Sequence, residues 1–518
     1  MTGNKLQILI AMLLYMATVI GIGVFYAQKA NKSTENYFLG GRSLGPWVTA
    51  MSAEASDMSG WLLMGLPGVA YWCGLADAFW TAVGLALGTY LNWLLTARRL
   101  RSYSVVAGNA ITIPEFFSGR FREKKNVLEL LSAGFILVFF TVYAASCFVT
   151  CGKLFSRLFG APYVSMMLAG AVFVIIYTVL GGFLAESASD FMQSIVMIFA
   201  LVAVLSVGVI SAGGIGVVAE NAKAIPGFVE LFGIASPTVT DGVQSVVDGV
   251  PQFGAAGEYG FLTILSTLSW GLGYFGMPQV LLRFMAIEKP EKLKNSRRIA
   301  TVWACISLFV AIAIGLTGRV LFPTTLLTSA DAENIFITLS TSLMPSFFAG
   351  IVMAGILAAT ISSSDSYLLI AASAFAKNIY HKAINKKATD KQVMWVSRII
   401  LVLISLVGVV IAMDENSVIF VIVSFAWAGF GATFGPAMIA SLFWRRATRN
   451  GVLAGMISGA ATVFIWKLLI KPMGGVFGIY ELLPAFIISA LAIIIVSLIS
   501  PKPSDEIVAD FDLAKKNA

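Results

Sequence analysis

Runs of predominantly apolar residues recur from one end of the chain to the other, near 6–26, 45–71, 75–97, 128–151, 163–182, 189–211, 257–283, 299–321, 341–376, 395–413, 417–443, 450–470 and 480–499. Each is close to the length of about 20 residues at which a helix crosses the hydrocarbon core of a bilayer. A backbone in lipid has no water to bond with and must satisfy its own N–H and C=O groups, which a helix does within a single segment. The runs therefore predict an all-α integral membrane protein with thirteen transmembrane helices. Composition agrees: with 58% hydrophobic and 12% charged residues over 518 positions, the chain lacks the polar surface of a soluble globule. No stretch between runs is long enough for a separate soluble domain, so residues 1–518 read as one membrane domain. The first run, LQILIAMLLYMATVIGIGVFY, is of full spanning length and has no small-residue cleavage site, so it reads as a span and not a signal peptide.

An odd number of spans puts the termini on opposite sides, and the charges test this. Alternate loops, counted from the first and including the C-terminal tail, hold 27 of the 35 lysines and arginines. Lys5, Lys153, Arg157, Lys223, Arg319, Lys467 and Lys471 lie on the other side, and Arg398 lies within a span end. The positive-inside rule predicts a multi-pass protein of the plasma (cytoplasmic) membrane, N-terminus outside and C-terminus cytoplasmic. The net charge of +8 is then orientation and attraction to anionic lipid, not a nucleic-acid footprint. Cys73, Cys147, Cys151 and Cys305 fall in or beside spans, form no CxxC pair and read as small hydrophobes. The one histidine, His381, sits in a basic loop, and no GxxxxGK[ST] loop occurs, so neither histidine catalysis nor direct ATP coupling is supported. The expectation is a protein that is not an enzyme, with no organic cofactor and no obligate protein partner.

Two runs are interrupted in a way that simple anchors are not. SAEASDMSGW, residues 52–61, puts Glu54 and Asp57 among serines and a glycine inside the second run, and SWGLGYFGMPQ, residues 269–279, puts three glycines and a proline inside the seventh. The two are five runs apart, and an odd offset makes two five-span units enter the membrane in opposite directions, as in an inverted repeat. The units are 45–211 and 257–443, with an extra span and loop at 1–44, two last spans at 450–499 and a short cytoplasmic tail at 500–518. In such folds broken helices meet at mid-membrane, where free backbone groups bind a solute and its ion. Glycines also permit close helix packing; the matched pair with intramembrane carboxylates favours a binding site.

The segments SAEASDMSGWLLMGLPG, WGLGYFGMPQ, YTVLGGFLAESASD and RRATRNGVLAGMISG resemble the sodium/solute symporter family, most closely its sodium/proline symporters, over nearly the whole chain. The resemblance implies a LeuT-like core of five plus five inverted helices in which sodium moves inward with a small solute. Sodium, a hard cation, calls for oxygen ligands. In ILAATISSSDSYLL, Ala359, Ser362, Ser363 and Ser366 follow an i, i+3, i+4, i+7 spacing along one helical face, although such serines also serve as interhelical hydrogen bonds. By resemblance, the carbonyl of Ala359 and the hydroxyls of Ser362 and Ser363 complete a sodium site with the carbonyls of Ala55 and Met58. Asp57 resembles the aspartate that sodium binding requires; its alternative role is to cap the second half of the broken helix.

The resemblance also assigns Trp270, Tyr274 and Pro278 to a proline pocket faced by Tyr143, Ser59, Gly60 and Trp61, each aromatic being equally fit for ordinary packing. Gln279, in the same substrate set, stands where proline carriers often have histidine. Glu54 stands where a small residue is usual, and Asp365 where a hydroxyl or apolar residue is more typical. Asp190, which resembles an aspartate near the inner exit, is expected to approach Asp365 and Ser366 and form with them a second cation or proton site; the alternative is an N-terminal helix cap. The function expected is import of L-proline by sodium-coupled alternating access. A carrier of another amino acid, a monocarboxylate or a sialic acid is the open alternative. A receptor is disfavoured, the tail PKPSDEIVADFDLAKKNA being too short for a signalling domain, and a channel should lack tight, saturable coupling.

Overall fold

In the computed structural model, which describes residues 3–30 and 32–518, the chain is helical almost throughout. The long helices are α1 (Gly3–Ala30), α2 (Pro46–Asp57), α3 (Leu66–Cys73), α4 (Leu75–Val106), α5 (Val127–Phe159), α6 (Tyr163–Ser211), α7 (Phe261–Leu268), α8 (Pro278–Ala286), α9 (Leu293–Leu321), α10 (Ser346–Ser373), α11 (Asp390–Ile411), α12 (Ile419–Phe443), α13 (Arg449–Ile465), α14 (Leu482–Ile499) and α15 (Asp505–Lys516). Ten helices among the described residues are long and apolar enough to cross a membrane, which makes this a multi-pass membrane protein. Its polarity is inverted relative to a soluble fold. Leu13, Phe199, Phe309, Leu406 and Ile495 are exposed, whereas Arg120, Arg283 and Arg319 are among the largest fully buried side chains.

α10 is the central element. It packs against α1, α5 and α6, and every residue from Val352 to Ala374 is buried. Small residues allow this approach: Gly350 faces the backbone of Ile8, and Gly355 faces Ala200. The run expected at 341–376 is divided, because a helix over Ile335–Leu343 stops before Met344, held extended (φ −113°, ψ 151°) ahead of Pro345.

α6 contains the runs expected at 163–182 and 189–211 with scarcely a loop between them. Gly182 breaks the helix (φ 63°, ψ 177°), a conformation open to glycine. Residues twelve apart in a straight helix would be separated by about 18 Å, yet the hydroxyls of Tyr177 and Ser189 lie 2.5 Å apart across the break. The chain therefore folds back at one residue. Between α6 and α7 lie three two-stranded antiparallel pairs, one joining Gly233–Ile234 to Gly257–Glu258, so the run predicted from 257 becomes helical only at Phe261. The C-terminal tail forms α15, which inserts Phe511 beside Tyr103 and Arg120 and is tied by Arg122 to Glu506 and Asp510 (2.6 and 2.7 Å).

Candidate functional site

The break after α2 is a failure of the i→i−4 ladder with identifiable causes. Ser59 N–H donates to Asp57 O (3.0 Å) and Leu62 N–H to Ser59 O (3.0 Å). Ala55 O, which Ser59 N–H would meet in a regular helix, instead accepts the Ser363 hydroxyl at 3.3 Å. A wide turn over Trp61–Gly65 then leads into α3. Gly60 is required by packing, since a Cβ there would meet Thr150 Oγ1 of α5 at 2.5 Å. Ser59 Oγ accepts from Trp61 N–H (3.3 Å) and so performs the capping once expected of Asp57.

The second break runs through Trp270–Gly273 and Tyr274–Gly276 to an extended Met277, with Pro278 opening α8. Proline suits that first helical position because its missing N–H would have had no partner there. Gly271 lets this segment lie directly on α4, where a Cβ would meet Gly84 O at 2.2 Å.

The two breaks meet through Asp57. Its Oδ2 accepts the Tyr274 hydroxyl (2.7 Å) and its Oδ1 accepts Gln279 Nε2 (3.4 Å). The carboxylate thus turns to the other broken segment and does not cap its own. A cavity of about 10 Å3 beside it is lined by Asp57, Met58, Trp61, Tyr143, Trp270 and Trp427, among others. Trp61 and Trp270 lie 5.8 Å apart between ring centroids, and Phe420 packs on both at 6.1 and 5.4 Å. Trp427 Nε1 donates to Trp270 O (2.8 Å), Tyr480 stacks on Trp270 at 5.0 Å, and Tyr143 stacks on Tyr367 of α10 at 4.2 Å. Pro278 is buried at the start of α8 and is not among the residues lining the cavity.

The serine stripe divides. Ser363 faces Ala55, whereas Ser362 donates to Asp190 Oδ1 at 2.6 Å, and Ala359 is fully buried on the same helix. Asp190 also accepts Ser52 (2.6 Å) and Arg283 (3.2 Å) on Oδ2. It lies within the second arm of α6, eight residues past the Gly182 break, so it is not a helix cap. No bond joins it to Asp365 among the described residues. Asp365 Oδ1 instead accepts the N–H of Ser366 (2.8 Å).

Arg283 is the residue that the sequence reading missed. Its guanidinium pairs with Glu186 and Asp190, donates to Ser52 (3.0 Å), Ser366 (2.8 Å) and Gln279 O (3.2 Å), and so joins α2, α6, α8 and α10. Ser366 in turn donates to Glu186. An arginine at the edge of an apolar run, and a glutamate in LAESASD beside Asp190, were the available signals.

The sodium:solute symporter family matches residues 37–459. Sodium/proline symporters of Haemophilus influenzae and Escherichia coli are 41% and 40% identical, over 98% and 96% of this chain and 97% and 94% of theirs. One from Staphylococcus aureus is 38% identical over 98% of this chain and 95% of its own. Among solved structures, a sodium-coupled sialic acid symporter aligns with a TM-score of 0.75 at 18% identity, covering 96% of this chain and 99% of that one. A nucleobase-cation-symport-1 family transporter aligns at 0.53 and 12% identity, over 92% and 98%. These likenesses establish a LeuT-like transporter fold.

Proposed function

The chain belongs to the sodium:solute symporter family and is a sodium-coupled solute symporter, not an enzyme, and from that premise we propose that it imports L-proline by alternating access. The near-full-length likeness to sodium/proline symporters supports this solute. The observation that carries the site is the meeting of the two broken segments at Asp57, with an aromatic enclosure on one side and freed backbone groups on the other.

We assign the carbonyls of Ala55 and Met58, with Ala359, Ser362 and Ser363, to sodium. Support comes from the Ala55–Ser363 contact, which is long at 3.3 Å and joins two uncharged oxygens. A desolvated cation between them would replace one weak hydrogen bond with several ion–dipole contacts. Asp57 supplies the nearby negative charge and couples the ion to the solute through Tyr274. The solute's ring would lie against Trp61, Tyr143 and Trp270, with its carboxylate at the helix break near Ser59 and Gly60. Tyr274, Pro278 and Gln279 form the facing segment.

The cavity of about 10 Å3 is smaller than an amino acid, so admission requires the rings of Phe420 and Trp427 on α12 to part from Trp61 and Trp270. In this proposal the thirteen spans form inverted repeats over 45–211 and 257–443, with the N-terminus outside and the C-terminus cytoplasmic. At the second cation or proton site expected from Asp190, Asp365 and Ser366, Asp190 and Ser366 are already engaged by Arg283.

The test is uptake of labelled proline into proteoliposomes with and without an inward sodium gradient, with unlabelled amino acids, monocarboxylates and sialic acid as competitors. Sodium-driven uptake displaced by proline alone is expected. Uptake indifferent to the gradient, or displaced better by a monocarboxylate or sialic acid, overturns the assignment.

A further inference from the structure

One cavity lies apart from the helix breaks and opens toward lipid. It has a volume of about 280 Å3 and lies between α1, α5, α6 and α10. Leu13 of α1 and Ala169 of α6 are exposed at its mouth, whereas Leu357 and Ile361 of α10, 2% and 0% exposed, form its floor. The rings of Phe155 and Phe159, stacked 6.2 Å apart, supply the α5 wall. No residue that lines it is charged or carries a hydroxyl or an amide side chain. Water finds no partners in such a space, and lining atoms without neighbours forfeit their dispersion contacts. Hydrocarbon restores those contacts. The volume is close to the lower end of the roughly 300–1,000 Å3 range of small-molecule sites.

One end of the cavity is marked by a cation. Lys5, in the first turn of α1, begins the helical face on which Leu9, Leu13 and Met16 follow, and those three line the cavity. Lys5 Nζ donates to the carbonyl of Phe159 at 3.1 Å. An ammonium has three donors; among the described residues that carbonyl takes one, and no carboxylate pairs with Lys5. Met16 lies eleven residues beyond Lys5, a rise of about 16 Å along a helix. One leaflet of the hydrocarbon core is about 15 Å deep. The cavity therefore runs from a cation at the membrane surface to the mid-plane, the depth that one acyl chain occupies.

We propose that this cleft binds one anionic phospholipid, an acyl chain lying between α1 and α6 upon Leu357 and Ile361 and the phosphate resting on Lys5. The apolar lining selects the chain, and the unbalanced ammonium selects a headgroup of net negative charge. The site depends on neither the solute nor the ion assigned above.

The test places the full chain in phosphatidylcholine vesicles holding a small share of phosphatidylglycerol with a photoreactive diazirine midway along one acyl chain, and maps the adducts by mass spectrometry. Lipid around the protein labels exposed residues such as Phe309 and Leu406. A chain in the cleft also labels Leu357 or Ile361, which surrounding lipid does not reach. Wild type is expected to carry that α10 adduct, and Ala169→Phe, which plugs the mouth, to lose it while the exposed adducts persist. The headgroup is read by moving the same photoreactive chain to phosphatidylcholine. Labelling of α10 should then fall about fivefold in wild type and be equal for the two lipids in Lys5→Gln. A wild type without the α10 adduct overturns the site whatever the variants do, and so does a folded Ala169→Phe that keeps the adduct undiminished. Equal α10 labelling by the two headgroups in wild type, or by a photoreactive fatty acid as strongly as by phosphatidylglycerol, overturns the assignment to an anionic phospholipid.

Discussion

Successive turns of α10 meet the rest of the protein in opposite ways. Ser363 reaches Ala55 O on the broken α2 by a long contact between neutral groups, whereas Ser366, one turn on, sits between Arg283 and Glu186 in a cluster of buried charges. The first contact can be exchanged for an ion with little loss, since a neutral hydrogen bond contributes only about 1 kcal/mol net. The second cannot lose a member without stranding charge in a dry interior. One helix thus carries an exchangeable contact and a fixed one side by side, which is what an ion-driven rearrangement about a stable axis requires.

The largest effect expected is that of Arg283→Met, which removes the only guanidinium bonded to Glu186 and Asp190 among the described residues. Removing one partner of a buried pair costs about 3–5 kcal/mol, so detergent-solubilised variant should melt well below wild type. Arg283→Lys should restore only part of the loss, because a point charge cannot reach Ser52, Ser366 and both carboxylates as the fork does. A variant melting like wild type would erase the distinction between the two turns.

Next in size is Trp270→Ala, which strips one wall from the cavity at the break. Loss of a buried aromatic surface worth about 1.5–3 kcal/mol predicts proline binding weakened by roughly tenfold to a hundredfold at saturating sodium. Equilibrium binding of labelled proline checks it. Unchanged affinity would move the solute away from the rings.

Ser363→Ala sharpens the comparison directly. It should raise the half-saturating sodium concentration about fivefold, as the loss of roughly 1 kcal/mol implies, while leaving the melting temperature unchanged. Ser362→Ala should move both quantities, because Ser362 also bonds Asp190. A melting shift in Ser363→Ala equal to that in Ser362→Ala would make both serines structural.

How much of this was legible beforehand follows from where each signal sat. The breaks at 52–61 and 269–279 stood out because glycine, proline, serine and carboxylates weaken a helix and are costly in lipid. The serine stripe showed in its spacing. Arg283 did not, because a cation at the edge of an apolar run reads as a loop residue until the chain is folded back over it. Glu186 was hidden in the same way: the short segment around Gly182 looked like a loop, and only the fold shows that it is a turn of one residue with helix on both sides. Phe420, Trp427 and Tyr480 gave no signal at all, since an aromatic within or beside an apolar run is indistinguishable from lipid-facing packing.

The smallest effect belongs to Gln279, although it touches the same carboxylate as Tyr274. Its amide reaches Asp57 Oδ1 at 3.4 Å, near the outer limit of a hydrogen bond, and its Oε1 has no partner among the described residues. The Tyr274 contact to the other carboxylate oxygen is short at 2.7 Å. Gln279→Leu thus removes a weak donor and, with it, an unsatisfied buried acceptor, two changes of opposite sign in stability. Sodium and proline affinities should each change by less than about threefold, against a loss of about fivefold or more in Tyr274→Phe. The two variants are compared by sodium-dependent proline binding at one pH. A larger loss from Gln279→Leu than from Tyr274→Phe would mean that Asp57 is oriented from α8 and not from the break before it, and that the solute-side contact, like the one at Ser366, is fixed.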